Sequence, residues 1–379
     1  MLAAVWFTSV QAWAQPTMTA DMDSIEIGLV TCSPHDEVYS LYGHSALHVH
    51  DLSSDRSWVY NYGVFDFKKP HFVWRFIMGH TDYCLERTAY FQAWVDYYAK
   101  WGCKVEEQIL NLTPGEKQRL LKALDDNLRL YPVYRYNFFF DNCSTRPRNI
   151  VEKCLEGAVS YAARPDYQPS FREMIHHCTE QHPWAAFGND LLLGLTADRT
   201  ATQREQQFLP ANLCYDFDHA TVERQGETRP LVLRHVVLVP LAQQPVKSAF
   251  PLSPLACTLL LLLVSIAIFA LEWRRQRIMV WWDGLLMLLT GLTGLILLLM
   301  FFSEHPATSS NLQILVLNPL ALFFLPLVLM RRRTRWFNIS FCCLVAFFIG
   351  SFWQDYAEGM ECVALCLLLR YMIHRRHDK

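Results

Sequence analysis

One cysteine of this chain stands where a thiol could react. In FFFDNCSTRPR, residues 138–148, Cys143 follows an aromatic run and an Asp-Asn pair and precedes a helical pattern, NIVEKCLEGAV. A thiol at a helix start lies beside unpaired N–H groups and the positive end of the dipole, and both favour the thiolate. Pro147 fits the first turn of such a helix. A thiolate nucleophile also needs a base, and the base needs a third group to orient it. YGHSALHVHD supplies His44 on a strand pattern, and VYNYG on the next strand offers Asn61. The same residue types admit other chemistry. His44, His48 and His50 share a strand face by period two and could hold a metal with Cys143, or Cys143 could be an ordinary half-cystine.

The elements that must position these groups can be read on both sides of the cysteine. SIEIGLVTC, SALHVHDL and SWVYNYGVFDF read as strands, and YRYNFFF as a strand leading into the cysteine junction. LTPGEKQRLLKALDDNLRL is a helix with Thr113 as N-cap, Pro114 at the first position and Glu116 completing a capping box. Helical patterns follow in NIVEKCLEGAV, PSFREMIHHCTEQ and ATQREQQFL, then a late strand, LVLRHVVLVP. The pattern predicts an α+β domain without internal repeats.

At 379 residues the chain has room for two domains. Its net charge of -2 offers no basic surface, which sets nucleic-acid binding aside. The start, MLAAVWFTSVQAWAQ, has an apolar stretch and a small-x-small pattern at Ala12-Trp13-Ala14, so residues 1–14 read as a signal peptide without its positive n-region. Seven of the 12 cysteines fall before residue 250: Cys32, Cys84, Cys103, Cys143, Cys154, Cys178 and Cys214. An oxidising compartment and an odd count predict three disulfides and one free thiol.

Beyond about residue 250 the chain turns apolar. A span needs about 20 apolar residues. The candidates are Pro254–Trp273, Ile278–Phe302, Leu312–Met330, Trp336–Trp353 and a shorter last one near Gly359–Ile373. Basic clusters at 274–277, 331–335 and 374–376 fall in alternate connections. The positive-inside rule puts these clusters and the C-terminus in the cytoplasm and the N-terminal half outside. The expected division is therefore a signal peptide at 1–14, a periplasmic domain at 15–253 and a membrane domain of about five helices at 254–379.

The order GHSALHV, a polar position on the next strand, then NC at a helix start resembles the circularly permuted NlpC-type papain-like fold, shared by lecithin-retinol acyltransferase and related phospholipid acyltransferases. YGHSALHV, NYGVFDF, FFFDNCSTRPR and FLPANL, followed by spans with SEHPATSSN and LNPLAL, resemble in order the Lnb-type lipoprotein N-acyltransferases of Bacteroidota, from about Ile25 to the C-terminus. The resemblance implies Cys143 as nucleophile and His44 as base in a protein of the inner membrane; Asn61 as the third group comes from strand geometry.

The chemistry implied is acyl transfer without a cofactor. With no ATP or acyl-CoA outside the inner membrane, a phospholipid is the available donor, and the acceptor is the α-amine of a diacylated lipoprotein. Arg146 and Arg148 could hold a phosphate head group, or be solvated or paired with acidic neighbours. Glu304 and His305, in the outer loop after the second span, are further candidates at the membrane boundary. The rival readings are a membrane-anchored cysteine peptidase or cell-wall amidase, a phospholipase or thioesterase, and a non-catalytic scaffold.

Overall fold

The computed structural model describes residues 21–65, 70–80, 82–242 and 250–377, so the signal-peptide reading of 1–14 lies outside the described residues. Strands β1 (Ile25–Cys32), β2 (His44–Asp51) and β3 (Arg56–Val64) form where alternating β-branched and aromatic residues predict them. Helix α1 (Phe72–Ile77), β4 (Asp82–Thr88), α2 (Phe91–Lys100) and β5 (Val105–Leu110) follow. In α3 (Pro114–Leu130) the expected capping box is present: Thr113 Oγ1 accepts from Glu116 N, and a Glu116 carboxylate oxygen accepts from Thr113 N. Next come β6 (Val133–Arg135), α4 (Thr145–Cys154), β7 (Ala158–Ser160), α5 (Phe171–Thr179), α6 (Pro183–Leu192), α7 (Gln203–Gln206) and α8 (Pro210–Asp218). Strands β8 (Thr221–Arg224), β9 (Glu227–Pro230) and β10 (Val232–Val239) complete the domain.

The main sheet has the order β10-β5-β1-β2-β3-β4-β6, with every neighbouring pair antiparallel. Strand alternation gives it two buried faces. One carries Ile27, Leu29, Leu47 and Tyr60, packed against Leu120 and Leu124 of α3, Val151 of α4 and Phe217 of α8. The other carries Val30, Cys32 and Val105 under Val95, Trp94 and Tyr98 of α2. Complete burial of each leucine is worth about 1.5–3 kcal/mol, so these contacts, more than intrinsic propensity, fix the helices on the sheet. A helix with a thiol at its start, laid on an antiparallel sheet that carries the histidine, is the papain-like α+β layout expected.

Two expectations need correction. YRYNFFF is a strand only over its first residues. Asn137 to Asp141 turn back, with Asp141 N donating to Asn137 O, and Phe139 enters a core with Phe171 and Phe208. Burial of the ring outweighed the strand preference of the aromatic run. The expected disulfides are also missing: all 12 cysteines are free. The seven of the first domain are dispersed over separate elements and both faces of the sheet, so their positions do not build bridges.

The second half is helical: α9 (Pro254–Arg275), α10 (Val280–Phe301), α11 (Leu320–Leu329), α12 (Trp336–Gly350) and α13 (Met360–His377). Among the described residues three segments are long and apolar enough to cross a membrane, Pro254–Arg275, Val280–Phe301 and Leu312–Leu329; Trp336–Gly350 is shorter. The third segment is broken between a 3-10 turn at Leu312–Leu315 and α11. Gly284, Gly291 and Gly294 lie on one side of α10, where an added Cβ would run into Leu329, Leu322 and the Leu317 carbonyl; small residues bring these backbones together. At one end of the bundle buried Arg370 of α13 pairs with Glu272 of α9 and Asp283 of α10, and His374 joins Asp283.

At the opposite end the two halves meet. Asn311 Nδ2 donates to Leu191 O at 2.8 Å, Gln313 Nε2 to Asp190 O at 2.8 Å and Gln354 Nε2 to Leu193 O at 3.2 Å. Gly194 N adds a bond to Ala307 O at 2.7 Å. The loops without basic clusters are thus the ones that touch the first domain.

Candidate active site

Register places the site. Leu47 faces Tyr60 in the β2–β3 ladder. Continuing that pairing sets Gly63 opposite His44 and Asn61 diagonal to it on the same face, within reach of a side chain. His44 Nε2 lies 2.5 Å from Asn61 Oδ1. A carboxamide oxygen can only accept, so Nε2 carries the proton. Nδ1 is then the nitrogen left for the sulfur, and the Cys143 thiol is hydrogen-bonded to the ring. The imidazole is roofed by Tyr98, stacked at 6.0 Å between centroids, and by Trp94 at 6.4 Å.

Gly63 has φ +91°, and a Cβ there would stand 3.4 Å from Cys143 Cβ, 3.7 Å from the Tyr136 ring and 4.0 Å from His44 Cε1. The positive φ is what calls for glycine here, since a methyl would meet the thiol side chain only at ordinary van der Waals distance.

Cys143 immediately precedes Ser144, the N-cap of α4. The neighbouring Asn142 organises this start. Its Oδ1 accepts from the N–H groups of Ser144 and Thr145, each at 2.9 Å, while its Nδ2 donates to Phe138 O and Phe208 O. Sequence reading gave Asn142 no role, although an Asn ahead of a helix is a capping signal. The Ser45 and Ser144 hydroxyls lie 3.2 Å apart beside the sulfur.

The electrostatics separate this thiol from its neighbours. Burial opposes the Cys143 thiolate, but the facing His44 charge, the bond from its ring, the Ser45 N–H and the Ser144 side chain together hold the thiol below the ordinary cysteine value. For His44, burial works against the imidazolium, and it is outweighed by the Cys143 charge and the bonds to Cys143 and Asn61, which raise it. Burial pushes five other thiols of the first domain upward: Cys32 well above its usual value, Cys103 and Cys178 to about 11, Cys214 to about 12, and Cys154 also up. A thiol held below its ordinary value, not disulfide arithmetic, is what distinguishes Cys143.

Sequence reading also missed the tyrosine wall. The Tyr136 hydroxyl is hydrogen-bonded to the sulfur, and its ring stacks on Tyr83 at 4.1 Å. Phe65 extends the wall, 4.9 Å from Tyr83.

The metal reading of the strand histidines fails on geometry. His48 Nδ1 is engaged by Glu107 at 2.6 Å with its ring stacked on Phe91, and His50 turns to Asp55 at 3.1 Å. With His44 on Asn61, three rings of one face reach three different partners.

The two arginines do not present a free phosphate clamp. Arg146 is spent on Asp141 through two bonds of 2.7 Å and lies over the Tyr134 ring. Arg148 is buried and donates to Arg204 O, Gln207 Oε1 and Asn149 Oδ1. Helix geometry turns it from the thiol into the protein. Glu304 and His305 do not touch Cys143 either. Glu304 pairs with Arg135, next to Tyr136, at 2.8 Å, and His305 Nε2 binds Phe76 O at 2.5 Å. They fasten the outer loop of the helical half to β6 and α1, at the edge of the tyrosine wall.

The family comparison covers both halves. The Lnb N-terminal periplasmic domain matches residues 12–174, which include Cys143, His44 and Asn61, and the Lnb transmembrane domain matches residues 245–379. No curated protein and no solved structure matches the chain. With these two domains in order over most of its length, the chain belongs to the Lnb family.

Proposed function

We propose that this protein is a lipoprotein N-acyltransferase of the bacterial inner membrane, with Cys143 as nucleophile, His44 as base and Asn61 as the group that orients the ring. Residues 15–253 form its periplasmic catalytic domain and residues 254–379 its membrane domain of about five spans, with the C-terminus in the cytoplasm. The observation that carries the reading is the Cys143 thiol paired with an Asn-held imidazole, in a domain tied by carboxamides to one end of an apolar helical bundle.

The thiolate attacks the carbonyl carbon of a phospholipid ester, forming a C–S bond. His44 then gives its Nδ1 proton to the departing glycerol oxygen, so that lysophospholipid leaves and a thioester remains on Cys143. The neutral α-amine of a diacylglyceryl-cysteine attacks that carbonyl. His44 takes the amine proton as the amide forms and the thiolate departs, so the products are a triacylated lipoprotein and the starting enzyme. The Tyr136 hydroxyl, already on the sulfur, stands near enough to donate to the oxygen of the tetrahedral intermediate. Aromatic Tyr83, Tyr98 and Trp94 offer an acyl chain an apolar wall.

Incubation with acyl-labelled phospholipid should give a hydroxylamine-sensitive adduct on Cys143 that diacylated lipopeptide discharges, and Cys143→Ala should form neither adduct nor triacylated product. Discharge to water at the same rate with and without lipopeptide would assign a phospholipase or thioesterase instead. Peptide cleavage without an adduct would assign a peptidase.

A further inference from the structure

On the sheet face beneath α8, away from His44, three chemically different ligands from three elements converge. Glu106 of β5, Cys214 of α8 and His235 of β10 each direct one donor atom to a common space, all within 4.8 Å of one another. Glu106 Oε2 and His235 Nε2 are already 3.1 Å apart. Zinc held by thiolate, imidazole and carboxylate at its usual bond lengths of about 2.0–2.3 Å needs donors roughly 3.4–3.8 Å apart, so side-chain adjustments of about 1 Å would close the set.

The surroundings carry the argument further. His235 Nδ1 lies 2.8 Å from Asp218 Oδ2, which leaves Nε2 turned toward Glu106 and Cys214. A carboxylate on the far nitrogen of an imidazole is the usual support of a metal-binding histidine. Asp218 is itself fixed by Gln108 Nε2 at 2.6 Å, and the same amide holds Cys214 O at 2.8 Å. Gln108 therefore locks both the support of one ligand and the backbone of another. Lys104 Nζ pairs with Glu106 Oε2, so a cation already occupies one side of the carboxylate. That side chain is partly exposed, so binding would have to displace it.

We infer that Glu106, Cys214 and His235, supported by Asp218, form a structural site for a thiolate-preferring divalent metal, zinc above all, with water in the fourth position. The Cys214 proton is released on binding, and thiolate plus carboxylate neutralise the ion. The site joins α8 to β5 and to the edge strand β10, the last strand before the helical half. Its role is to keep that edge strand on the sheet. It is separate from the Cys143 chemistry and independent of the proposed activity.

The test is cobalt titration of the full chain, purified in detergent and stripped with chelator. One equivalent of Co2+ should give a near-ultraviolet thiolate charge-transfer band and the visible bands of tetrahedral cobalt, both displaced by Zn2+, with a rise in Tm. Cys143→Ala should keep the bands. Cys214→Ser should lose the charge-transfer band, and Glu106→Gln should weaken binding without altering the fold. Asp218→Asn should weaken it by about 10–100-fold. No cobalt spectrum in the folded wild type, or a charge-transfer band that survives Cys214→Ser, would overturn the inference. In that case His235 is only a bridge between the two carboxylates.

Discussion

Replacing Asn61 by Ala removes the single hydrogen bond that holds His44 Nε2, 2.5 Å long and roofed by Trp94 and Tyr98. A hydrogen bond to a charged group is worth about 1.5–3 kcal/mol, and each 1.4 kcal/mol is tenfold, so thioester formation should slow by roughly 10–150-fold. His44→Ala should cost more, about 10²–10⁴-fold, because the proton carrier itself is gone. The pH profile adds a signature that general loss of structure would not give. Asn61 is one of the groups that raise the imidazolium of His44. Without it the ring loses its proton at lower pH, and the alkaline limb of the acylation rate should move toward acid. The acid limb reports Cys143 ionising beside an already charged ring and should stay nearly fixed. The assay is single-turnover acylation from labelled phospholipid across pH. An Asn61→Ala protein with the wild-type rate and an unmoved alkaline limb would refute the assignment.

Gly63→Ala should cost about 1–2 kcal/mol of stability, since the new methyl sits on a positive-φ backbone while touching Cys143 only at van der Waals distance; thermal melting checks this. Arg148→Ala should lower Tm, because it strips the partners of Arg204 O and Gln207, with little change in KM for phospholipid; a large KM change at constant Tm would restore a head-group role. Reporter fusions at Thr308 and Arg333 should report opposite sides of the membrane, since Thr308 lies in the loop that meets the periplasmic domain; the same side for both would sink the five-span topology.

What could be read in the sequence was what depends on near neighbours along the chain. The Thr113–Glu116 box is a four-residue pattern, and strand period puts His44 and Asn61 on adjacent strands of one hairpin, whose register then brings them together. Cys143 before a helix is likewise local. Tyr136 was lost because its run was taken for a continuous strand, whereas Phe139 turned the chain into a core built with the distant Phe171 and Phe208. Arg148 looked available because two of its partners lie 56 and 59 positions further on. Disulfide counting failed for a related reason, since parity says nothing about which thiols the fold brings near.

Three carboxamides from two stretches of the helical half, Asn311 and Gln313 in one and Gln354 in the other, grip one short run of backbone from Asp190 to Leu193. In the proposed membrane orientation, such a mount would set the altitude of the thiol over the bilayer. Phospholipid esters, by contrast, bob in and out of the membrane plane. In a reaction between a fixed nucleophile and a bobbing carbonyl, the donor does the travelling, and its protrusion becomes part of the barrier. Thioester formation in vesicles should therefore slow in gel-phase lipid far more than in detergent at the same temperature. An equal response in both would place the reach in the protein. For the proposed acyl transfer, the bilayer's own fluidity then becomes a control that no residue of the site encodes.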